Sequence, residues 1–263
     1  FNNPPEAWDS RASKIGMIGD SFAHGSCVPP DKNIAGHLRR RFGDVINLGV
    51  SGNGPLMELA SLKEYLEPLA PKTVLWFFYE GNDISENLPF ERKSRLLMSY
   101  LNNDEFRQGL MNNNGEVSKR LKLYLDEHLL AMIEQMQGPF EDLLDFIQIY
   151  HLRRQLGLGV VSLGLFEGAK EDDFRLFSRV LKKAKSLVAS WGGELHFVYL
   201  PESDRYFSKS GPNRIRNHIR RRVIDIVSEL KIDLIDVHEV LARLPDARQH
   251  FYYPGSHYNE RGY

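Results

Sequence analysis

Four short motifs, each placed just after a predicted β-strand, contain the residue types that acyl transfer requires. The first is the sequence GDSF at residues 19–22, where Ser21 lies at a predicted strand-to-helix turn. A serine held in the open at such a turn can act as a nucleophile, with nearby backbone amides free to bind an oxyanion. The alternative interpretation is that Asp20 and Ser21 merely cap the next helix. Because residue 23 is Ala, the motif is not the Gly-x-Ser-x-Gly elbow.

Two further motifs could contribute to binding an oxyanion. The sequence NLGVSGNG at residues 47–54 contains three glycines, which permit tight turns and close approach of the backbone to a ligand. The sequence GND at residues 81–83 follows the most apolar predicted strand, and the Asn82 side chain could donate a hydrogen bond to a developing oxyanion. An ordinary loop and an Asx turn are the respective structural alternatives. The glycine spacing does not fit a dinucleotide-binding fingerprint.

The fourth motif is the sequence GSHYN at residues 255–259, after the last predicted strand. His257 could serve as a general base, although a single histidine in a loop is also compatible with a surface residue. His218, His250 and His257 lack the spacing of metal ligands with nearby acids, and the chain has only one cysteine, Cys27. We therefore expect no metal site.

Predicted strands and helices alternate along the chain, which favours an α/β fold with a parallel sheet and helices on both faces. In open α/β sheets the active site lies at the carboxyl ends of the strands, where all four motifs fall. The predicted strands are residues 14–19, 45–48, 73–79, 194–200 and 233–237. The predicted helices are residues 31–42, 55–67, 173–191 and 212–230.

Residues 90–156 show helical periodicity and no convincing strand. Four apolar residues there fall on one helical face, as a packed helix requires: Leu121, Leu125, Leu129 and Met132. We expect mostly helices outside the central sheet, covering part of the active-site mouth. The 263 residues could form one α/β domain with an insertion or two small domains.

The composition excludes some classes of protein. Lys and Arg number 34 and Asp and Glu 35, so the net charge of −1 gives no electrostatic support for a nucleic-acid binder. No apolar run approaches the roughly 20 residues that span a bilayer.

The first residue is Phe1 and residues 2–5 read NNPP, as in a linker. We therefore expect the soluble part of an exported, periplasmic or membrane-anchored protein, with any anchor outside this chain. Asn259 is predicted to cap a final helix.

The order Ser, Gly, Asn, His, each after its own strand, resembles the four sequence blocks of the SGNH (GDSL-like) hydrolase superfamily, in particular its bacterial cell-envelope members. The resemblance spans nearly the whole chain except the insertion. It implies one domain over residues 1–263, with a flavodoxin-like sheet of five parallel strands and a helical insertion at 90–170 between strands three and four. It also implies Ser21 as nucleophile, His257 as base, and an oxyanion hole formed by the Ser21 amide, the Gly52 amide and the Asn82 side chain.

The resemblance implies an ester substrate, and we expect a serine esterase acting on an O-acylated carbohydrate such as an acetylated surface polysaccharide. Two alternatives stay open. The same serine could serve an O-acetyltransferase, or the fold could be a non-catalytic module that binds a glycan or a protein partner. No cofactor is required by any of them.

One departure from the family concerns the residue that orients the histidine. The family usually has Asp three residues before its histidine, and here that position is Pro254. We expect a Ser21–His257 dyad in which a backbone carbonyl near Pro254 accepts the hydrogen bond from the distal ring nitrogen. A remote acid is the alternative, with Glu80 and Glu202 as candidates.

Two side-chain groups have open interpretations. Five arginines between residues 214 and 222 could form a solvated helix face or bind an anionic glycan: Arg214, Arg216, Arg220, Arg221 and Arg222. The run Arg39, Arg40 and Arg41 is similarly ambiguous. The aromatic residues 251–253 could stack on a sugar beside His257 or pack in the core.

Overall fold

The computed structural model describes residues 1, 3–9, 15–137, 169–207 and 213–263. The chain divides into two compact units. The first comprises Phe1–Arg107 and Gly168–Tyr263, and the second comprises Gln108–Glu167. The assignment of residues 1–263 to one domain with an insertion at 90–170 stays a prediction.

The first unit is built on a sheet of five parallel strands: β1 (Ile15–Ile18), β2 (Val45–Asn47), β3 (Thr73–Tyr79), β4 (Glu194–Leu200) and β5 (Asp233–Asp236). Their order in the sheet is β2-β1-β3-β4-β5, which is the flavodoxin-like order. The predicted α/β fold is thereby confirmed. β3 is a continuous apolar run because both faces of a central parallel strand are covered.

Helices flank the sheet in the first unit. They are α1 (Glu6–Asp9), α2 (Ser21–His24), α3 (Ile34–Phe42), α4 (Pro55–Ser61), α5 (Leu88–Glu91) and α6 (Arg95–Asn102). The single helix of the second unit that the structure describes is α7 (Asn114–Gln137). The first unit continues with α8 (Glu171–Ser190), α9 (Asp204–Phe207), α10 (Asn213–Glu229) and α11 (Val237–Leu241).

The core forms two layers, one on each face of the sheet. Alternate residues of β3 enter opposite layers: Trp76 and Phe78 face one, and Phe77 and Tyr79 face the other. Helices α4, α6, α8 and α10 contribute apolar residues to the first layer, whereas α2, α3 and α11 contribute to the second. Both faces of the sheet are therefore covered by helices, as predicted.

Several element boundaries differ from the sequence predictions. Helix α3 begins after Asn33, whose side chain accepts a hydrogen bond from the Gly36 amide at 2.8 Å, so Asn33 rather than Asp31 is its cap. Helix α4 ends at Ser61, and the chain continues through a π-helical turn and a 3₁₀ turn to Leu69. Asn259 has the geometry of a helix cap, because its side chain accepts hydrogen bonds from the Arg261 and Gly262 amides and the Tyr263 amide donates to its carbonyl. Residues 260–262 form a turn there.

Residues 90–137 contain helices and no strand, which agrees with the prediction for that part of the 90–156 segment. Helices α5 and α6 belong to the first unit. On α7, Leu121 and Leu125 are exposed rather than packed. The side chains of Leu129 and Met132 lie outside the described residues, as do residues 138–168. Coverage of the active-site mouth stays a prediction. No helix among the described residues is both long and apolar enough to cross a membrane.

Four buried carboxyl groups lie close together near the carboxyl ends of β1 and β3. Burial raises the pKa of Asp20 and of Glu91 to about 7. Burial, and then the neighbouring carboxyls of Asp83 and Asp20, raises the pKa of Glu58 well above its ordinary value. Burial likewise raises the pKa of Asp83, with the nearby Asp20 adding to the effect. Because an unpaired buried charge is costly, these groups favour the neutral form in the folded protein.

This burial predicts that the folded protein loses stability as pH rises. Glu58 binds a proton in the folded state at pH values where the unfolded chain has already lost it. The free energy of unfolding should therefore fall as pH increases above about 5 towards the raised pKa of Glu58, by at most about 1.4 kcal/mol per pH unit for this group. Glu58→Gln removes that proton and should make the decline shallower by about that amount.

Urea unfolding at several pH values measures this decline. The slope with pH is the readout, because the buried glutamine can lower stability uniformly at every pH. Glu229→Gln, at an exposed position, is the matched control and should keep the wild-type slope. Equal slopes in Glu58→Gln and wild type would show that Glu58 does not hold the proton.

Candidate active site

Ser21 is the first residue of α2, directly after the turn that ends β1. The Asp20 side chain caps this helix by accepting a hydrogen bond from the Phe22 amide at 2.8 Å. The Ser21 amide makes no hydrogen bond to any described residue. The two interpretations of the GDSF motif are therefore compatible, since Asp20 is the cap and Ser21 is left at the edge of the sheet.

The structure brings His257 next to Ser21, although 236 residues separate them in the chain. The Nε2 atom of His257 lies 2.7 Å from the Ser21 Oγ atom. The Phe22 ring packs against the imidazole, with ring centroids 4.5 Å apart. This is the geometry in which a histidine takes a proton from a serine.

A tight loop presents His257. An antiparallel bridge between Phe251 and Tyr258 closes this loop at its base. Within it the Ser256 amide donates to the Tyr253 carbonyl at 3.0 Å, across a turn with Pro254 and Gly255 at its centre. Gly255 has a φ of 73°, so the turn has the type II pattern of Pro followed by Gly at positive φ. Pro254 therefore serves the turn.

The His257 imidazole is half-buried, and burial lowers its pKa below the ordinary 6.5. Desolvation disfavours the charged form, so the ring is neutral at pH 7. A neutral imidazole has one nitrogen that can accept a proton. The ring can therefore act as a base towards Ser21 in neutral solution.

The loop after β2 is held against α2 by the Asn47 side chain. Its amide donates to the Ala23 carbonyl at 2.7 Å and accepts from the Gly49 amide at 2.9 Å. A Cβ atom on Gly49 would lie 2.2 Å from the His24 nitrogen, so only glycine allows this approach. Further along, Gly52 has a φ of 82°, and its amide makes no hydrogen bond to the described part of the chain.

Asn82 follows β3, where the chain turns sharply. The Asp83 side chain fixes this turn by accepting from the Tyr79 amide at 2.7 Å. The Asn82 side chain makes no hydrogen bond to a described residue, although its Oδ1 atom is buried. An amide with no role in the fold is suited to binding a ligand. The roles of Ser21, Gly52 and Asn82 in an oxyanion hole stay predictions.

The expectation for the group that orients His257 was wrong. The Nδ1 atom contacts the Sγ atom of Cys27 at 3.8 Å, and no hydrogen bond joins it to a carbonyl near Pro254 within the described residues. The two candidate acids are engaged elsewhere. Glu80 is buried and paired with Arg205 and the Tyr199 hydroxyl, and Glu202 accepts from Arg216 at 2.6 Å. The sequence offered no signal for Cys27, which lies in an irregular loop.

The arginines of α10 are mostly neutralised within the fold. Arg216 pairs with Glu202, Arg220 with Asp236, and Arg222 with Glu171. This pairing argues against a site for an anionic glycan there. In the other run, Arg39 donates to the Val45 carbonyl and the Asn3 side chain. Among the residues that the structure describes, no cluster of His, Cys, Asp and Glu is arranged to hold a metal ion.

The aromatic run beside His257 has two kinds of residue. Phe251 is buried and contacts the Tyr258 ring, so it packs in the core. Tyr252 and Tyr253 are about half-exposed, at 49% and 56%. The Tyr252 hydroxyl donates to the Cys27 carbonyl at 2.8 Å, which holds this side chain beside the residue that contacts His257.

No protein-family model and no curated protein sequence matches the chain. Several solved structures, however, match the chain. A protein described as lipolytic and of the G-D-S-L family, from Desulfitobacterium hafniense, has a TM-score of 0.51 and 12% identity, covering 95% of this chain and 93% of that one. The lipase/acylhydrolase from Enterococcus faecalis has a TM-score of 0.49 and 14% identity, covering 94% and 88%. An acetyl xylan esterase, AlAXEase, has a TM-score of 0.47 and 10% identity, covering 94% and 93%.

At 12% identity, the similarity to the Desulfitobacterium hafniense protein is a similarity of fold. It accords with the parallel sheet of order β2-β1-β3-β4-β5. The chain has the fold of the SGNH (GDSL) hydrolases.

Proposed function

We propose that the protein is a serine esterase that works through an acyl-enzyme on Ser21. The observation that carries this proposal is the 2.7 Å contact between Ser21 Oγ and His257 Nε2. A serine is a weak nucleophile until a neighbouring base takes its proton. The lowered pKa of His257 keeps that base neutral at pH 7.

The reaction proceeds in two halves. In the first, Ser21 Oγ attacks the ester carbonyl as its proton passes to His257 Nε2, and that proton then leaves with the alcohol. In the second, water attacks the acyl-serine, His257 takes the water proton, and the carboxylic acid is released as Ser21 regains its proton. No metal or organic cofactor takes part in these steps.

The tetrahedral intermediate of each half carries a negative oxygen. We assign its stabilisation to the Ser21 amide, the Gly52 amide and the Asn82 side chain. This assignment is supported by the absence of any hydrogen bond from these three groups to the described residues. Removing one such donor typically costs about 3 kcal/mol of barrier.

For the substrate we propose an O-acylated carbohydrate. Tyr252 and Tyr253 support this choice, because they expose aromatic rings in the loop that carries His257. Exposed aromatic rings provide large, rigid faces for amphipathic ligands such as sugars. The internal pairing of the α10 arginines favours a neutral glycan over an anionic one.

The two alternatives differ in how the structure bears on them. A non-catalytic module has no need of a neutral histidine in contact with a serine, so this contact argues against it. An O-acetyltransferase would use the same residues and differ only in transferring the acyl group to a sugar hydroxyl. Adding an oligosaccharide acceptor to an assay with a small acetyl ester separates the two reactions, since a transferase would yield acetylated sugar in preference to acetate.

Ser21→Ala should abolish turnover of p-nitrophenyl acetate while leaving the fold intact, because no other group carries the acyl intermediate. The release of nitrophenol and the circular dichroism spectrum measure the two effects. Ser26→Ala is the matched control, since the side chain of this nearby serine bonds, within the described part of the chain, only to Ser51. Wild-type turnover in Ser21→Ala would refute the proposed nucleophile.

Asn82→Ala should lower kcat by about 10²-fold or more and change KM little. An oxyanion donor acts mainly in the transition state, so its loss appears in the chemical step. Asn82→Asp, which keeps the shape and places negative charge at the oxyanion, should lower kcat further. Steady-state kinetics of both variants provide the measurement, and unchanged kcat in Asn82→Ala would remove this residue from the site.

A further inference from the structure

We propose that Cys27 is a positioning residue for His257, in place of the acid that Pro254 displaces. This inference rests on the proposed function. In it, the Cys27 sulfur accepts the hydrogen bond from Nδ1–H of the imidazole, which leaves Nε2 free to take the proton of Ser21. The contact that carries it is the 3.8 Å distance from Sγ to Nδ1.

The position of Cys27 is built into the fold. Its φ is 74°, in the left-handed region that residues other than glycine rarely adopt. Such a backbone conformation costs on the order of 1 kcal/mol and persists only where surrounding contacts impose it. It follows Gly25, which ends α2 at a φ of 85°, so the loop leaves the helix and returns directly beside Ser21.

Two tyrosines tie this loop to the segment that carries His257. The Tyr252 hydroxyl donates to the Cys27 carbonyl at 2.8 Å, and the Tyr263 hydroxyl donates to the Ser26 carbonyl at 3.1 Å. The tyrosines flank His257 in the sequence. The loop with the sulfur and the loop with the imidazole are therefore joined by hydrogen bonds from residues before and after His257 in the sequence.

The direction of the hydrogen bond decides whether the site works. If the thiol donated its proton to Nδ1, the neutral ring would carry its own proton on Nε2 and could accept none from Ser21. If the sulfur accepts from Nδ1–H, Nε2 is the free acceptor. The productive arrangement is therefore the one with sulfur as acceptor.

No carboxylate competes for this role among the residues described. Glu80 is held by Arg205, and Glu202 by Arg216. A sulfur is a weaker acceptor than a carboxylate, so it fixes the tautomer of the ring with less stabilisation of the imidazolium. The proposed site is thus a triad of Ser21, His257 and Cys27 with a weak third member.

Two substitutions of Cys27 in the full chain test the proposal. Cys27→Gly removes the sulfur, and glycine accepts a φ of 74° without strain, so the variant should fold. Cys27→Asp provides a strong acceptor that extends one bond further than the sulfur, and Asp tolerates positive φ better than most residues. Steady-state kinetics with p-nitrophenyl acetate and thermal unfolding are measured for both.

We expect Cys27→Gly to lower kcat about tenfold or more, a part of the 10²–10⁴-fold that a general base contributes, with KM changed less than about twofold. Cys27→Asp should match or exceed the wild-type kcat. Wild-type kcat in Cys27→Gly would overturn the proposal. So would an equal loss in both variants, because a purely structural role for the cysteine would not be rescued by a carboxylate.

The tautomer of His257 gives a second readout that does not depend on activity. In ¹⁵N-labelled protein above the histidine titration, the wild type should show the Nδ1–H form, and Cys27→Gly should shift towards Nε2–H. The spectrum of His257→Gln identifies the signals among the nine histidines. If the wild type turned over no ester, the proposed function would fail. The tautomer would still show whether Cys27 orients the His257 ring. An unchanged tautomer would overturn the proposal.

Discussion

The contact between Ser21 and His257 depends on the parallel sheet, because only the sheet brings residues so distant in sequence to one edge. β1 delivers Ser21 and the segment beyond β5 delivers His257, with β3 and β4 between them. Side chains then fix the loops at that edge. Asp20 caps α2, Asn47 binds the second loop to it, and the turn at Pro254 and Gly255 presents the histidine.

The carboxyl edge of the sheet is rich in acids, yet those described contribute no free carboxylate to the site. Glu80 and Glu202 pair with arginines, and Asp20, Glu58 and Asp83 are buried with raised pKa values. Burial raises the pKa of these last three, so they carry less negative charge than exposed carboxylates and compete less for the imidazolium. The orientation of His257 is thereby left to the exposed sulfur of Cys27, a weaker acceptor.

The sequence predicted the five strands well, because buried parallel strands are short apolar runs such as residues 73–79. The flavodoxin-like arrangement of the sheet came from the family resemblance and not from these runs. It also indicated Ser21, Asn82 and His257 through motifs that follow strands. It did not predict the cap at Asn33, since Asp31 has the same capping chemistry two residues earlier. The contact from Cys27 to His257 was beyond prediction, because it depends on a left-handed residue and two tyrosine hydrogen bonds in irregular loops.

The rate at which a fluorophosphonate labels Ser21, followed by mass spectrometry across pH, tests most directly whether Ser21 and His257 act as nucleophile and base. Because burial lowers the pKa of His257, the labelling rate should rise with pH through a midpoint below the ordinary 6.5, as the imidazole loses its proton. His257→Gln should label at a small fraction of that rate at every pH. Absence of labelling at Ser21, or equal labelling of His257→Gln and wild type, would contradict the account.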